Sequence, residues 1–221
     1  MFKITPSYLK YPLAGLALTG AMFYPVKSHA QLEITSTVVT QSGTNTTTSS
    51  AVDVFVRKTG VSPKGTSDPE ILSKAPSAKV KIQGKLKTAK FVVNLSENVL
   101  YEYDEIGNTQ KAYLIASGKR STPTHTGVRV VSHVENYPYK YAPASTKRRR
   151  NPRDYGPKII ILNNIDTKTG ETSEIGEFIH GNRNPELLGQ YVSGGCMRMD
   201  NDVILELASK VKRGDIVIIK K

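Results

Sequence analysis

Cysteine is almost absent from this 221-residue chain: Cys196 stands alone, so no intramolecular disulfide can form. Acids are also scarce, 19 Asp and Glu against 31 Lys and Arg, and none precedes Glu33. No apolar run reaches the ~20 residues that a membrane-spanning helix needs. The longest candidate, YPLAGLALTGAMFYPV, is shorter, with Pro12 near its start and Pro25 near its end. Internal repeats and heptad patterns are missing as well, which sets aside solenoids and coiled coils.

What is present at the start has the layout of a secretory leader: Lys3 and Lys10, the apolar stretch, then SHA before Gln31. Ser28 and Ala30 put small side chains three and one residues before a cut after Ala30, so residues 1–30 are expected to be a signal peptide. The rival reading is a retained anchor. With no cysteine at the cut, a lipid-anchored lipoprotein is excluded. Removal of Lys3, Lys10 and Lys27 with no acid lowers the formal charge from +12 to +9. Such a basic protein suits an anionic polymer. Export argues against nucleic acid and for the periplasm or cell wall, with no stable membrane span after cleavage; a solvated surface without a specific partner is the bland alternative.

Residues 31–88 read as a Thr/Ser- and Lys-rich tether, largely disordered. Within them AVDVFVRK alternates well enough for one strand, yet the segment has too few apolar residues for a core of its own. From Ala89 the pattern turns to short runs rich in Val, Ile and Tyr: FVVNL, VLYEY, KAYLIAS, GVRVVSHV, KIIIL and EFIHG, with SEN and EIGN as hairpin connections. NDVILELASKVKRG instead has helical spacing at Val203, Ile204, Leu207, Ala208 and Val211, with Asp200 or Asn201 to cap its start and Gly214 its end. DIVIIKK closes the chain as a strand. Residues 89–221 thus form one mainly β domain with one or two short helices.

The unpaired thiol of an exported protein is a small buried hydrophobe or a nucleophile. His180 ends the strand-like EFIHG, and Cys196 lies sixteen residues later in a glycine-rich turn, an arrangement that allows the two to meet. An imidazole beside the thiol removes the obstacle of a thiol pKa near ~8.5. Gly194 and Gly195 permit backbone angles that would turn nearby amides towards a bound carbonyl as an oxyanion hole. Arg198 offers a planar fork suited to a carboxylate; its bland alternative is an ion pair under the loop.

The set His180-Gly181, Pro185, Gly189, Ser193-Gly194-Gly195-Cys196-Met197-Arg198, Asn201, Asp202 and the terminal RGDIVII resembles the YkuD-type L,D-transpeptidase family, whose signature joins a histidine-glycine pair to S-x-G-C. Upstream, Thr122, Pro123 and Gly127 resemble the family's T-P-x-x-G stretch, with one residue more between proline and glycine. The resemblance covers roughly residues 89–221. It implies a β-sandwich or partly open barrel that acts on peptidoglycan stem peptides without a cofactor or metal. Cys196 would attack the bond between diaminopimelate and D-alanine, with His180 as base. An amine would then take the acyl group from the thioester, either from another stem, giving a 3→3 cross-link, or from a lysine of a wall-attached lipoprotein. The resemblance further implies that Gly181 orients His180 through its carbonyl, that the Gly195 backbone serves the oxyanion, and that Ser193 and Arg198 contact substrate. It also implies carbapenem acylation of the cysteine. Where many members carry a polar side chain, this chain has Gly194.

Three other readings compete: water as acceptor, giving a carboxypeptidase or amidase; a wall-binding module without turnover; and a sortase, disfavoured because its arginine lies on a separate strand. The stretch around Lys147–Arg150 reads as a solvated loop, a lid being the rival. His29, His125 and His133 make no metal site with His180. Tyr137, Tyr139, Tyr141 and Tyr155 are expected to pack by their rings, outside the site.

Overall fold

The computed structural model describes residues 50–137 and 155–221. The expected leader, Lys147–Arg150, Tyr139 and Tyr141 lie outside the described residues. The described chain begins with helices α1 (Ala51–Thr59) and α2 (Pro69–Leu72), then a hairpin of β1 (Lys79–Ile82) and β2 (Lys85–Thr88). The main sheet takes β3 (Phe91–Asn94), β4 (Val99–Tyr103), β5 (Thr109–Leu114), β7 (Gly127–Asn136), β8 (Lys158–Ile165), β9 (Thr172–His180), β11 (Met197–Arg198) and β12 (Ile216–Lys220). Their order is β11-β9-β8-β7-β12-β3-β4-β5, a curled eight-stranded half-barrel. Short strands β6 (Ser117–Gly118) and β10 (Tyr191–Ser193) pair in parallel beside it. Helix α3 (Asn201–Lys210) precedes β12.

The central strands are apolar on both faces because both faces are covered. Along β3, Phe91 and Val93 enter one core while Val92 enters another; β4 and β12 divide Leu100 from Val99 and Tyr101, and Val217 and Ile219 from Ile218, in the same way. Val203, Ile204 and Leu207 of α3 fill the first core. The helix starts on Asp200, whose carboxylate accepts from the amides of Asp202 and Val203 at 2.9 and 3.4 Å. It ends at Val211, not at Gly214, which has φ 93° and sits in the turn into β12.

The second core explains why the tether reading fails for residues 51–88. They need no core of their own: Val52, Phe55 and Val56 of α1, Ile71 and Leu72 of α2, and Val80 of β1 pack against Val92, Tyr101 and Leu114. AVDVFVRK is a helix rather than a strand, since Val52, Phe55 and Val56 share one helical face. A capping box between Ser50 and Asp53 starts it and Gly60, in the left-handed conformation, stops it. Among the described residues no helix is long and apolar enough to cross a membrane.

Candidate active site

Two strand pairings set His180 beside Arg198 and fix the strand that follows Cys196. Short β11 runs parallel to the end of β9, in the register Met197↔Ile179 and Arg198↔His180, and Met199 N–H donates to His180 O at 2.9 Å. Ile179, Met197 and Met199 are wholly buried in the first core. Strand alternation therefore turns His180 and Arg198 to the opposite face, where half-buried Cys196 immediately precedes β11. On its other side β11 is stitched to Ala116 by two main-chain hydrogen bonds of 2.8 and 2.9 Å.

His180 is only 2 % exposed. Its Nδ1 lies 2.6 Å from Gly181 O, which can only accept, so Nδ1 carries the proton and Nε2 keeps its lone pair. Gly181 is itself fixed: a side chain there would overlap Asn201 Oδ1 and Gly156, and the same Oδ1 accepts from Asn182 N–H at 2.9 Å. The Tyr155 ring lies 4.6 Å from the imidazole, tilted by 47°, and Tyr137 backs it at 5.3 Å. Burial, then the Arg198 charge, push the imidazole down to about 3, against a weaker upward pull from main-chain partners at Gly181 and Tyr155. His180 is therefore neutral throughout the physiological range.

The turn before Cys196 is held from inside and from beside it. Ser193, 1 % exposed, donates to Cys196 O at 2.6 Å and accepts from Gly195 N–H at 3.1 Å. The Gly195 amide and the Ser193 hydroxyl, which the sequence suggests for the oxyanion and the substrate, are thus both hydrogen-bonded within the turn. Thr124 Oγ1 accepts from Gly118 N–H at 2.9 Å and donates to Gly195 O at 2.7 Å, while Thr122 Oγ1 donates to Ser193 O at 3.1 Å. Of the two glycines only Gly195, φ 119°, needs its missing side chain; a Cβ on Gly194 would meet nothing within 4 Å.

Arg198 Nε is buried with no hydrogen-bond partner among the described residues. Among the described residues no ion pair under the loop engages Arg198, and its Nε has hydrogen-bonding capacity to spare. His125 and His133 sit apart from the site, against Glu177 at 3.1 Å and Glu135 at 2.8 Å. Thr124, Tyr155 and Asn201 are the supporting residues that sequence reasoning does not single out for these contacts. Thr124 and Asn201 lie within or beside the motifs, whereas nothing in the sequence links Tyr155 to His180.

The family model of the L,D-transpeptidase catalytic domain, YkuD, matches residues 88–219. The chain is 49% identical over 112 residues to the YkuD protein of Bacillus subtilis, a match covering 50% of this chain and 54% of that one. With the corresponding protein of Bacillus licheniformis it shares 34% over 120 residues, 54% of this chain and 57% of the relative. It thus spans about half the length of these curated relatives. Among solved structures, the catalytic domain of an E. faecium L,D-transpeptidase aligns with 23% identity and a TM-score of 0.41 over 61% of this chain and 98% of that one. An L,D-transpeptidase from Mycobacterium tuberculosis aligns with 16% identity and a TM-score of 0.41, over 59% and 57%.

Proposed function

Because the chain belongs to the YkuD family of L,D-transpeptidase catalytic domains, we propose that it transfers the acyl group of a peptidoglycan stem peptide through a thioester on Cys196. The observation that carries this reading is the β9–β11 register, which sets Arg198 beside a neutral, tautomer-fixed His180 and leads directly into the chain's only cysteine.

In the proposed reaction Nε2 of His180 takes the thiol proton as Sγ attacks the carbonyl carbon between diaminopimelate and D-alanine. The tetrahedral adduct collapses with cleavage of the C–N bond. D-Alanine leaves with the proton returned by the imidazolium, and an acyl-thioester remains. An acceptor amine then attacks the same carbonyl carbon, its proton passes to His180, and the C–S bond breaks to free the thiolate. Arg198 holds a donor carboxylate through its guanidinium. Gly181 O keeps Nδ1 protonated at each stage, so the imidazolium is stabilised without an aspartate. Peptidoglycan lies beyond the cytoplasmic membrane, which accords with the leader read in residues 1–30; the acceptor is another stem or a wall-attached lipoprotein.

Incubation with disaccharide-tetrapeptide followed by mass spectrometry tests the reading. A cross-linked dimer with loss of D-alanine is expected, and Cys196→Ala should abolish both products. Tripeptide alone would indicate water as acceptor; an unchanged tetrapeptide would end the proposal in favour of a wall-binding module.

A further inference from the structure

The hairpin of β1 and β2 is a small sheet of its own, and its sequence KVKIQGKLKT supplies Lys79, Lys81, Lys85 and Lys87 but no acid. Ile82 is buried and Val80 packs on the second core. At the tip, Gln83 N–H donates to Thr167 O at 2.8 Å and its side-chain amide to Thr169 O at 2.7 Å. At the base, Lys79 Nζ donates to Thr88 Oγ1 at 2.8 Å and to Ile106 O at 2.6 Å. From the turn that the tip grips, β9 spans nine residues to His180, roughly 25 Å of extended chain. The hairpin thus stands at the end of the sheet remote from the cysteine turn.

Its outer face is apolar as well as basic. Leu86 stands opposite Lys81 and shares a face with Thr88, and Ile106 is drawn to the same side by its contact with Lys79. The two are 63 % and 73 % exposed, the most exposed large hydrophobic side chains among the described residues. Protection of a sheet edge from stray pairing accounts for lysines, but not for a leucine set outwards among them. Lys81, Lys85 and Lys87 join no ion pair among the described residues. Acids of the hollow beside β2 do not cancel this charge. Asp104 is turned to the amides of Ile106, Gly107 and Asn108 at 3.1, 2.8 and 2.8 Å, and Asp215 to Lys212 N–H at 2.8 Å, so that Glu105 sets one charge against four.

We propose that this face rests on an anionic phospholipid bilayer, its lysines on lipid phosphates and Leu86 and Ile106 in the boundary between headgroups and acyl chains. Lysine beside exposed aliphatic side chains makes an interfacial anchor: charge brings the protein to the surface and apolar area holds it there. A soluble phosphate polymer would give the lysines partners but offers nothing apolar for Leu86 and Ile106 to enter. Docked in this way the protein lies on the membrane without a span, and the cysteine turn, at the opposite end of the sheet, stays open to solvent. The inference does not depend on the transpeptidase reading.

The chain has no tryptophan, so Leu86→Trp places a single reporter on the proposed face of the full-length protein. Its emission is followed during titration with phosphatidylglycerol vesicles, phosphatidylcholine vesicles and inorganic polyphosphate. Ser96→Trp, in the exposed turn at the other end of β4 from Ile106, is the control. A shift to shorter wavelength is expected at position 86 with phosphatidylglycerol alone, and none at position 96. Adding Lys81→Gln, Lys85→Gln and Lys87→Gln to the Leu86→Trp protein should weaken the vesicle partition about 100-fold. These side chains are exposed, and circular dichroism checks that the fold is kept. Residues 1–30 are common to all variants and cannot produce a difference among them. No shift at position 86, an equal shift at position 96, or a partition unchanged by the three lysine substitutions overturns the proposal. An equal response to polyphosphate overturns it too, and would assign the face to a phosphate polymer.

Discussion

Thr124 and Gly195 are joined by a hydrogen bond of 2.7 Å from the threonine hydroxyl to the glycine carbonyl, so a buried side chain from one loop holds the peptide that leads into Cys196. The same oxygen accepts from Gly118 N–H. Thr124→Val keeps the shape but removes both bonds, leaving a buried donor and acceptor without partners. A loss of about 2 kcal/mol is expected in denaturant unfolding. Thiol alkylation of Cys196 in the folded variant should also change in rate, and an unaltered rate would show that the turn holds itself.

The two glycines should part company under substitution. Gly194→Ala is expected to leave stability within about 0.5 kcal/mol of wild type, because its Cβ meets open space and its φ is not positive. Gly195→Ala has to adopt φ near 119° and should lose about 1–3 kcal/mol, with weakened D-alanine release. Equal effects in thermal and activity measurements would contradict this account of the turn.

How much of the molecule is legible in its sequence follows from what each residue type encodes locally. Period-two apolar runs from Phe91 onward and the helical spacing of Val203, Ile204 and Leu207 report their own elements, and the structure places them as read. Residues 51–88 escape such reading because their apolar side chains pack on Val92, Tyr101 and Leu114, partners far along the chain. Within the site, His180 and Cys196 are marked by chemistry and spacing. Tyr155 is not, because its contact with His180 depends on how β8 and β9 pair and on no local pattern. Nor does the doubled glycine reveal which of its members carries the positive φ. The sequence alone suggests the Gly195 amide as an oxyanion donor, since its engagement by Ser193 is a matter of turn geometry.

Protonation of His180 should couple folding to pH. Its imidazole is held at about 3 in the folded protein against 6.5 when unperturbed. Between those values the unfolded chain binds the extra proton, so stability rises with pH through the window, is complete above it, and falls on acidification by up to about 1.4 kcal/mol per pH unit. Urea unfolding between about pH 4 and 6 should show that slope reduced in His180→Gln. An identical slope in both proteins would remove the buried neutral imidazole as its source.

The N-terminal segment should be needed by the domain it covers. Phe55 of α1 packs so closely on Gly189 that a Cβ there would collide with its ring. Gly189 in turn donates to Ile115 O at 2.7 Å, and Leu188 beside it is wholly buried. Phe55→Ala opens a cavity against this turn, in the segment between His180 and Cys196. A cost of about 2 kcal/mol is expected for the half-buried ring, less than for a fully enclosed one. Phe55→Leu should restore most of it in thermal unfolding; no difference among the three proteins would mean that α1 rests on the domain without supporting it.

Glu177, three residues before His180 on β9, is only 6 % exposed, and a buried carboxylate needs partners. Its Oε2 pairs with Nε of buried Arg129 on β7 at 3.0 Å. Through Oε1 it accepts from His125 N–H at 3.1 Å, at the end of the Thr122–Thr124 segment that braces the cysteine turn. Arg129 adds bonds of 3.0 Å to Asn164 and to His125 O. A buried pair of this kind gains little over an apolar one, but removing one partner strands the other charge, which costs about 3–5 kcal/mol. Glu177→Ala is therefore expected to destabilise strongly, whereas Glu177→Ala with Arg129→Met should recover part of the loss because no buried charge is left unpaired. Denaturant unfolding of the single and double variants forms a cycle that measures the coupling. Strictly additive losses would show that the two side chains act independently and that the brace on the Thr122–Thr124 segment does not depend on their pairing.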